Sequence, residues 1–302
     1  MTPRQIEILE VGPRDGLQNE STLFSTAAKV EFINRVIAAG TRRVEVASFV
    51  NPKRVPQMAD AEEVLKVLPR RTDIHYVGLV LNRRGFDRAA AAGCNEIGMA
   101  LMASNTFNLR NQGVTTDESI MSWLDIAAAA HAAGIRPQVT VSAAFGCPFE
   151  GEVAPERVID VARRVAQAGP FEIAIADTIG VGVPSQVTNL LERLRDALPA
   201  MPLRCHFHNT RNTGIANAYA AIEAGATVID ASVGGIGGCP FAPAATGNIP
   251  TEDVLYMLQR MGVSTGVDLE LTIATGRWLQ EQLGRPVPGM LVKAGDFPGR
   301  AA

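Results

Sequence analysis

Eight times in succession, the chain passes from a short apolar run to a longer amphipathic stretch. That alternation restricts the fold to repeated βα units and a largely parallel sheet. The predicted strands are residues 6–11, 43–47, 74–81, 96–100, 136–143, 171–176, 203–208 and 227–232. The predicted helices behind them are 25–39, 59–68, 83–92, 117–133, 155–168, 184–198, 212–224 and 251–261. Val187, Leu190, Leu191, Leu194 and Leu198 fall on one helical stripe behind Pro184, a residue suited to a first helical turn. Gly40, Gly93, Gly134, Gly169 and Gly225 follow five of the helical stretches, where a left-handed cap favours glycine. Thr251 is the predicted N-cap of the eighth helix.

Eight such units predict an α/β fold, a single (β/α)8 TIM barrel over about residues 6–262. An extension over 263–302 adds one C-terminal helix at 269–283, and the tail from Lys293 is expected to be loosely ordered. The length of 302 residues suits one domain of this kind, and no low-complexity stretch divides it. A doubly wound open sheet is the alternative. However, the first strand runs into Gly12-Pro13-Arg14-Asp15-Gly16, which is not a dinucleotide-binding glycine fingerprint.

Lys and Arg total 28 against 31 Asp and Glu, a net charge of -3. This balance offers no basic surface for nucleic acid. Arg42-Arg43 and Arg70-Arg71 read as short solvated clusters. The absence of an apolar leader and of a long apolar run predicts a cytoplasmic protein without a membrane partner. Cys94, Cys147, Cys205 and Cys239 are widely spaced with no CxxC pair, so reduced thiols are expected. Cys147 reads as structural, and Cys94 and Cys205 as buried on the helix side.

A barrel places its site at the C-terminal ends of the strands. The predicted strand ends carry Arg14-Asp15, Glu45 and Ser48, Ser142, Asp177-Thr178 and His206-Phe207-His208, on otherwise apolar strands. The fourth leads to Ser104-Asn105 and on to Asn111. His206 and His208, two residues apart on one strand, point to the same face. With Asp15 they form a mixed nitrogen and oxygen set that suits a divalent metal in an open site. Arg14 beside that set can stabilise an oxyanion. The glycine-rich run Gly234-Gly235-Ile236-Gly237-Gly238-Cys239 reads as the base of a mobile lid, with the Cys239 thiol within reach of substrate.

Longer motifs extend this reading. Val11-Gly12-Pro13-Arg14-Asp15-Gly16-Leu17-Gln18-Asn19-Glu20, Glu45-Val46-Ala47-Ser48-Phe49-Val50 and Asp177-Thr178-Ile179-Gly180-Val181-Gly182 resemble blocks of the 3-hydroxy-3-methylglutaryl-CoA lyases. So does Gly237-Gly238-Cys239-Pro240-Phe241-Ala242 with Gly247-Asn248. The resemblance implies a carbon–carbon lyase acting on an acyl-CoA substrate with a divalent cation, Mg2+ or Mn2+, as cofactor, and a homodimer. It implies Asp15, His206, His208 and Asn248 as metal ligands. Arg14, Asp15, Glu45, His206 and Cys239 are implied as catalytic. Arg14, Gln18, Ser48, Asn111, Ser142, Asp177 and Thr178 are candidates for substrate or CoA binding.

One stretch departs from the family pattern. Where these lyases typically read His-Asp-Thr-Tyr-Gly-Gln, this chain reads His208-Asn209-Thr210-Arg211-Asn212-Thr213. The departure raises citramalyl-CoA or a longer 3-alkyl-3-hydroxyglutaryl-CoA as alternative substrates. A Claisen-type synthase, related to the isopropylmalate synthases, and a non-catalytic acyl-CoA binder are the remaining alternatives.

Overall fold

Residues on a strand alternate between two faces, so a barrel strand sends every second side chain to the surrounding helices and the rest to the interior. The computed structural model describes residues 4–238 and 247–298. Its strands are β1 (Glu7–Glu10), β2 (Arg43–Ser48), β3 (His75–Val80), β4 (Glu96–Met102), β5 (Arg136–Ser142), β6 (Gly146–Cys147), β7 (Gly151–Glu152), β8 (Ile173–Asp177), β9 (Leu203–Phe207) and β10 (Val228–Ala231). Eight of them close into a parallel barrel in the order β1-β10-β9-β8-β5-β4-β3-β2, and β6 and β7 form a separate antiparallel hairpin. The predicted barrel is therefore the observed one.

The helices are α1 (Thr26–Ala38), α2 (Ala61–Val67), α3 (Arg83–Ala92), α4 (Asn105–Gln112), α5 (Thr116–Ala132), α6 (Pro155–Ala166), α7 (Pro184–Ala197), α8 (Gly214–Glu223), α9 (Thr251–Arg260), α10 (Leu269–Leu283) and α11 (Met290–Ala294). Their buried stripes meet the outward residues of the strands, such as Val44, Ile97, Val139, Ile175, Cys205 and Ile229. Val187, Leu190, Leu191 and Leu194 supply the stripe of α7, and all five predicted capping glycines have positive φ. The extra helix α10 packs on α1 with Trp278 at 6.0 Å from Phe32, between ring centroids. No helix among the described residues is long and apolar enough to cross a membrane.

Three local expectations change. Thr251 is the first residue of α9 rather than its cap; Pro250 holds the cap position, and the Thr251 hydroxyl donates to Glu10 at 2.7 Å. Lys293 and Ala294 belong to α11, whose start is held by the Asp253 carboxylate accepting from Met290 N and Leu291 N. Arg43 is not solvated: it is fully buried, and its guanidinium donates to Glu96 and Glu172, with Glu7 at 3.0 Å.

The strands are thus not apolar with polar ends only. The barrel interior is polar along much of its length. Arg43, Glu96 and Glu172 occupy one level, and Arg204, Asp230 and Gln138 the next, all buried. Buried charges persist only when paired and hydrogen-bonded, and here each is. Leu9, Val11, Val77 and Val228 form a small apolar cluster of their own.

Candidate active site

The first functional loop begins where β1 ends. Gly12–Gly16 forms one wide helical turn, and Glu10 fixes its start by accepting from Gly12 N at 2.9 Å. A Cβ on residue 12 would lie 2.5 Å from that carboxylate oxygen and 2.9 Å from the Phe32 ring, so any larger residue would displace one of them. Glu10 also accepts from Val233 N at 2.9 Å, in the loop after β10. One buried carboxylate thus joins the loops that carry Asp15 and Asn248. Burial pushes its carboxyl up to about 7, against the hydrogen bonds that favour the anion.

The turn presents Arg14 and Asp15. Arg14 Nε donates to Glu45 Oε2 at 2.7 Å, Nη2 lies 2.5 Å from the same oxygen, and Nη1 donates to Asp15 Oδ1 at 2.7 Å. Two carboxylates from two strand ends therefore fix one guanidinium plane. Burial alone would raise the Asp15 carboxyl. Arg14 and the two histidines outweigh it and hold Asp15 well below the usual carboxylate range. Glu45 is raised, because burial there outweighs its pairing with Arg14.

On β9, His206 and His208 face the interior with ring centroids 5.1 Å apart, while Cys205 and Phe207 are buried on the opposite side. His208 Nε2 lies 3.8 Å from Asp15 Oδ2, and Asn248 Nδ2 donates to that oxygen at 2.8 Å and to Ile236 O at 3.1 Å. His206 Nδ1 lies 3.1 Å from Asp230 Oδ2. Burial disfavours the His206 cation, but Asp230 and Asp15 reverse that and raise its pKa. One donor atom from each of Asp15, His206 and His208 lies within 4.8 Å of the others. A carboxylate oxygen and two imidazole nitrogens at that spacing fit a divalent metal ion.

These groups line a cavity of about 1190 Å³, together with Gln18, Ser48, Asn111, Ser142 and Thr178. Among the described residues, the buried Ser48 hydroxyl and Gln18 Oε1 have no hydrogen-bond partner. Thr178 uses its hydroxyl to accept from Ala143 N at 2.9 Å. Asp177 is the exception among the predicted substrate contacts. It does not line the cavity; its oxygens accept from Val181 N at 3.0 Å and Gly182 N at 2.8 Å and so shape the loop after β8. Cys239 lies outside the described residues. Of the glycines before it, Gly234 and Gly235 are buried, and Gly234 N donates to the Glu252 carboxylate at 3.0 Å.

The departure from the family pattern is also away from the cavity. Arg211 Nη1 donates to the carbonyls of Ile179 and Gly180 at 3.0 and 2.9 Å, and the Asn209 side chain accepts from Gly214 N at 3.0 Å. Neither residue lines the pocket. The missed residues are Asp230, Arg204 and Gln138, which line its lower wall. For Arg204 the signal was its spacing from His206, two apart on one strand, because both must face inward with the HxH pair.

Comparison with known proteins identifies the family. The HMGL-like family model matches residues 5–278. An (R)-citramalyl-CoA lyase of Chloroflexus aurantiacus is 44% identical over 96% of this chain and 95% of its own length. A hydroxymethylglutaryl-CoA lyase of Pseudomonas mevalonii is 45% identical over 92% of this chain and 93% of its own. Among solved structures, an HMG-CoA lyase from Acinetobacter baumannii, in complex with coenzyme A and 3-methylmalate, superposes with a TM-score of 0.94. It shares 39% identity and covers 99% of this chain and 97% of its own. A barrel with this loop after β1, this histidine pair on β9 and relatives matched nearly end to end belongs to the HMGL-like family.

Proposed function

We propose that the protein is a divalent-metal-dependent carbon–carbon lyase acting on a 3-hydroxyacyl-CoA, and that it cleaves 3-hydroxy-3-methylglutaryl-CoA to acetoacetate and acetyl-CoA. The observation that carries this reading is Arg14, held by Glu45 and Asp15 beside the two histidines in one cavity wall. Arg54, Arg84 and Arg110 are exposed along the same cavity, and guanidinium groups match the phosphates of a coenzyme A thioester.

A divalent cation, Mg2+ or Mn2+, would be held by Asp15, His206, His208 and Asn248, and would acidify the substrate hydroxyl and orient its oxygens. Cleavage requires loss of that hydroxyl proton to a base. The bond from the carbinol carbon to the thioester α carbon then breaks, and its electron pair moves onto the thioester oxygen. Arg14 is aimed before the reaction begins, so it can donate to this developing oxyanion without reorganising. Glu45 is the positioning partner of Arg14. Ser48 and Gln18, with unused hydrogen-bonding capacity, are assigned to the substrate, and Cys239 to protonation of the enolate carbon. Asp177 acts through the loop that carries Thr178. The same reading takes the protein to be a cytoplasmic homodimer; light scattering tests its mass in solution.

A second substrate is favoured by one observation, the 44% identity to a citramalyl-CoA lyase. Citramalyl-CoA has one methylene fewer between the carbinol carbon and the carboxylate, and its cleavage gives pyruvate instead of acetoacetate. A difference of one methylene is discriminated by about 10- to 200-fold in such pockets. Comparing kcat/KM for the two thioesters, with the oxo acid identified by mass spectrometry, decides between them. A preference for 3-hydroxy-3-methylglutaryl-CoA supports the primary reading. A preference for citramalyl-CoA replaces its substrate. Release of free CoA from acetyl-CoA plus an oxo acid, without cleavage of either thioester, would make the protein a synthase.

A further inference from the structure

The two histidines of the cluster are supported differently. His208 Nδ1 is buried and has no hydrogen-bond partner among the described residues. His206 Nδ1 lies 3.1 Å from Asp230 Oδ2, across the pairing of β9 with β10, where Asp230 and His206 are register partners. Asp230 is itself gripped: Arg204 Nη1 reaches its two oxygens at 2.7 and 2.5 Å. Arg204 is anchored in turn, with Nη2 donating to Gln138 and, at 3.3 Å, to the Thr140 hydroxyl. The result is a rigid line of side chains, from β5 through Arg204 and Asp230 to His206, inside the barrel. Asp230 and Arg204 are both almost fully buried.

An imidazole that gives its Nδ1 proton to a carboxylate keeps the lone pair on Nε2, and its ring can no longer rotate freely. Such a ring is preset to ligate through Nε2, whereas an unsupported one must be ordered when the ion binds. Arg204 matters because it keeps the Asp230 carboxylate in one place. We propose that Asp230, clamped by Arg204, is a positioning residue for the divalent cation, acting through the His206 imidazole. The inference rests on the reading of Asp15, His206 and His208 as the cation site.

The test uses the full-length, metal-stripped protein without substrate, titrated with Mn2+ to millimolar concentrations, with free Mn2+ followed by electron paramagnetic resonance. Thermal unfolding verifies that each variant is folded. Asp230→Asn keeps the size but removes the charge, and is expected to weaken Mn2+ binding about 10- to 100-fold. Asp230→Glu, which restores a carboxylate, is expected to recover part of that loss. In a His206→Ala background, where Asp230 has no ring to hold, Asp230→Asn is expected to add nothing. Unchanged Mn2+ affinity in Asp230→Asn overturns the proposal, and so does an equal further loss when His206 is already absent. If the parent protein binds no Mn2+, the cation reading itself falls and this inference falls with it. Parent binding with an unaffected Asp230→Asn variant removes this inference alone.

Discussion

Arg14 makes its contacts with three different nitrogens, two directed at Glu45 and one at Asp15. A lysine has one nitrogen and no plane, so it cannot hold both carboxylates and still face an oxyanion. Arg14→Lys is therefore expected to lower kcat about 100- to 1000-fold, the usual cost of losing an oxyanion donor. Steady-state kinetics beside a Mn2+ titration check this: kcat should fall far more than cation affinity. Arg211 leads to the opposite expectation. Its contacts are two loop carbonyls, away from the cavity. Arg211→Tyr, which restores the family's usual residue, should lower stability by about 1–3 kcal/mol. The ratio of kcat/KM for 3-hydroxy-3-methylglutaryl-CoA and citramalyl-CoA should stay unchanged. At this scale the sequence was legible where chemistry is written as spacing, as in His206 and His208. Asp177 shows the limit of that reading, because a strand-end acid looks the same whether it faces a ligand or, as its bonds to Val181 N and Gly182 N show here, shapes its own loop. Asp230 was missed because a single acid in an apolar run gives no sign of its neighbour on β9.

Element boundaries were legible where glycine or proline marked them. The short helix α4 was missed although Gly113 caps its end. α4 (Asn105–Gln112) buries only Phe107 and Asn108 and so has no apolar stripe to read. The hairpin of β6 and β7 has two residues per strand, too few for any periodicity. The junction of β10 with α9 rests on buried acids that no sequence pattern reveals. Glu252 accepts from Gly234 N with both oxygens, and burial pushes its carboxyl up to about 8 from an ordinary 4.5. The folded form thus keeps a proton that the unfolded chain has released, and stability is lost as pH rises from the unfolded value through the folded one. Unfolding monitored between about pH 5 and 8 should show a falling melting temperature. In Glu252→Gln the slope should be shallower by up to about 1.4 kcal/mol per pH unit. A slope identical to the parent's would show that Glu252 is not the group that titrates.

At the scale of the whole molecule, the eightfold alternation was enough to predict a closed barrel, because every helix needs an apolar strand face and every strand a covered neighbour. The charge-filled interior was not legible. A buried Arg43 and an exposed one look alike in sequence, and only closure brings Glu7, Glu96 and Glu172 around it from three other parts of the chain. Removing Arg43 leaves Glu96 with Arg136 and Glu172 with Arg204, so the buried carboxylates lose part of their compensation, at a cost of up to about 3–5 kcal/mol. Arg43→Met is accordingly expected to destabilise the barrel by that amount in denaturant unfolding, although Arg43 lies outside the cavity lining.

The central claim is that this barrel uses a cation and Arg14 together to break a carbon–carbon bond next to a thioester. The most direct test is to incubate metal-stripped protein with 3-hydroxy-3-methylglutaryl-CoA, with and without Mg2+ or Mn2+, and to quantify acetyl-CoA and acetoacetate by mass spectrometry. The account predicts equal amounts of the two products, formed only when the cation is present. Product formation at full rate without any divalent cation would contradict it, as would a Mn2+-loaded protein that releases acetyl-CoA from neither this thioester nor citramalyl-CoA.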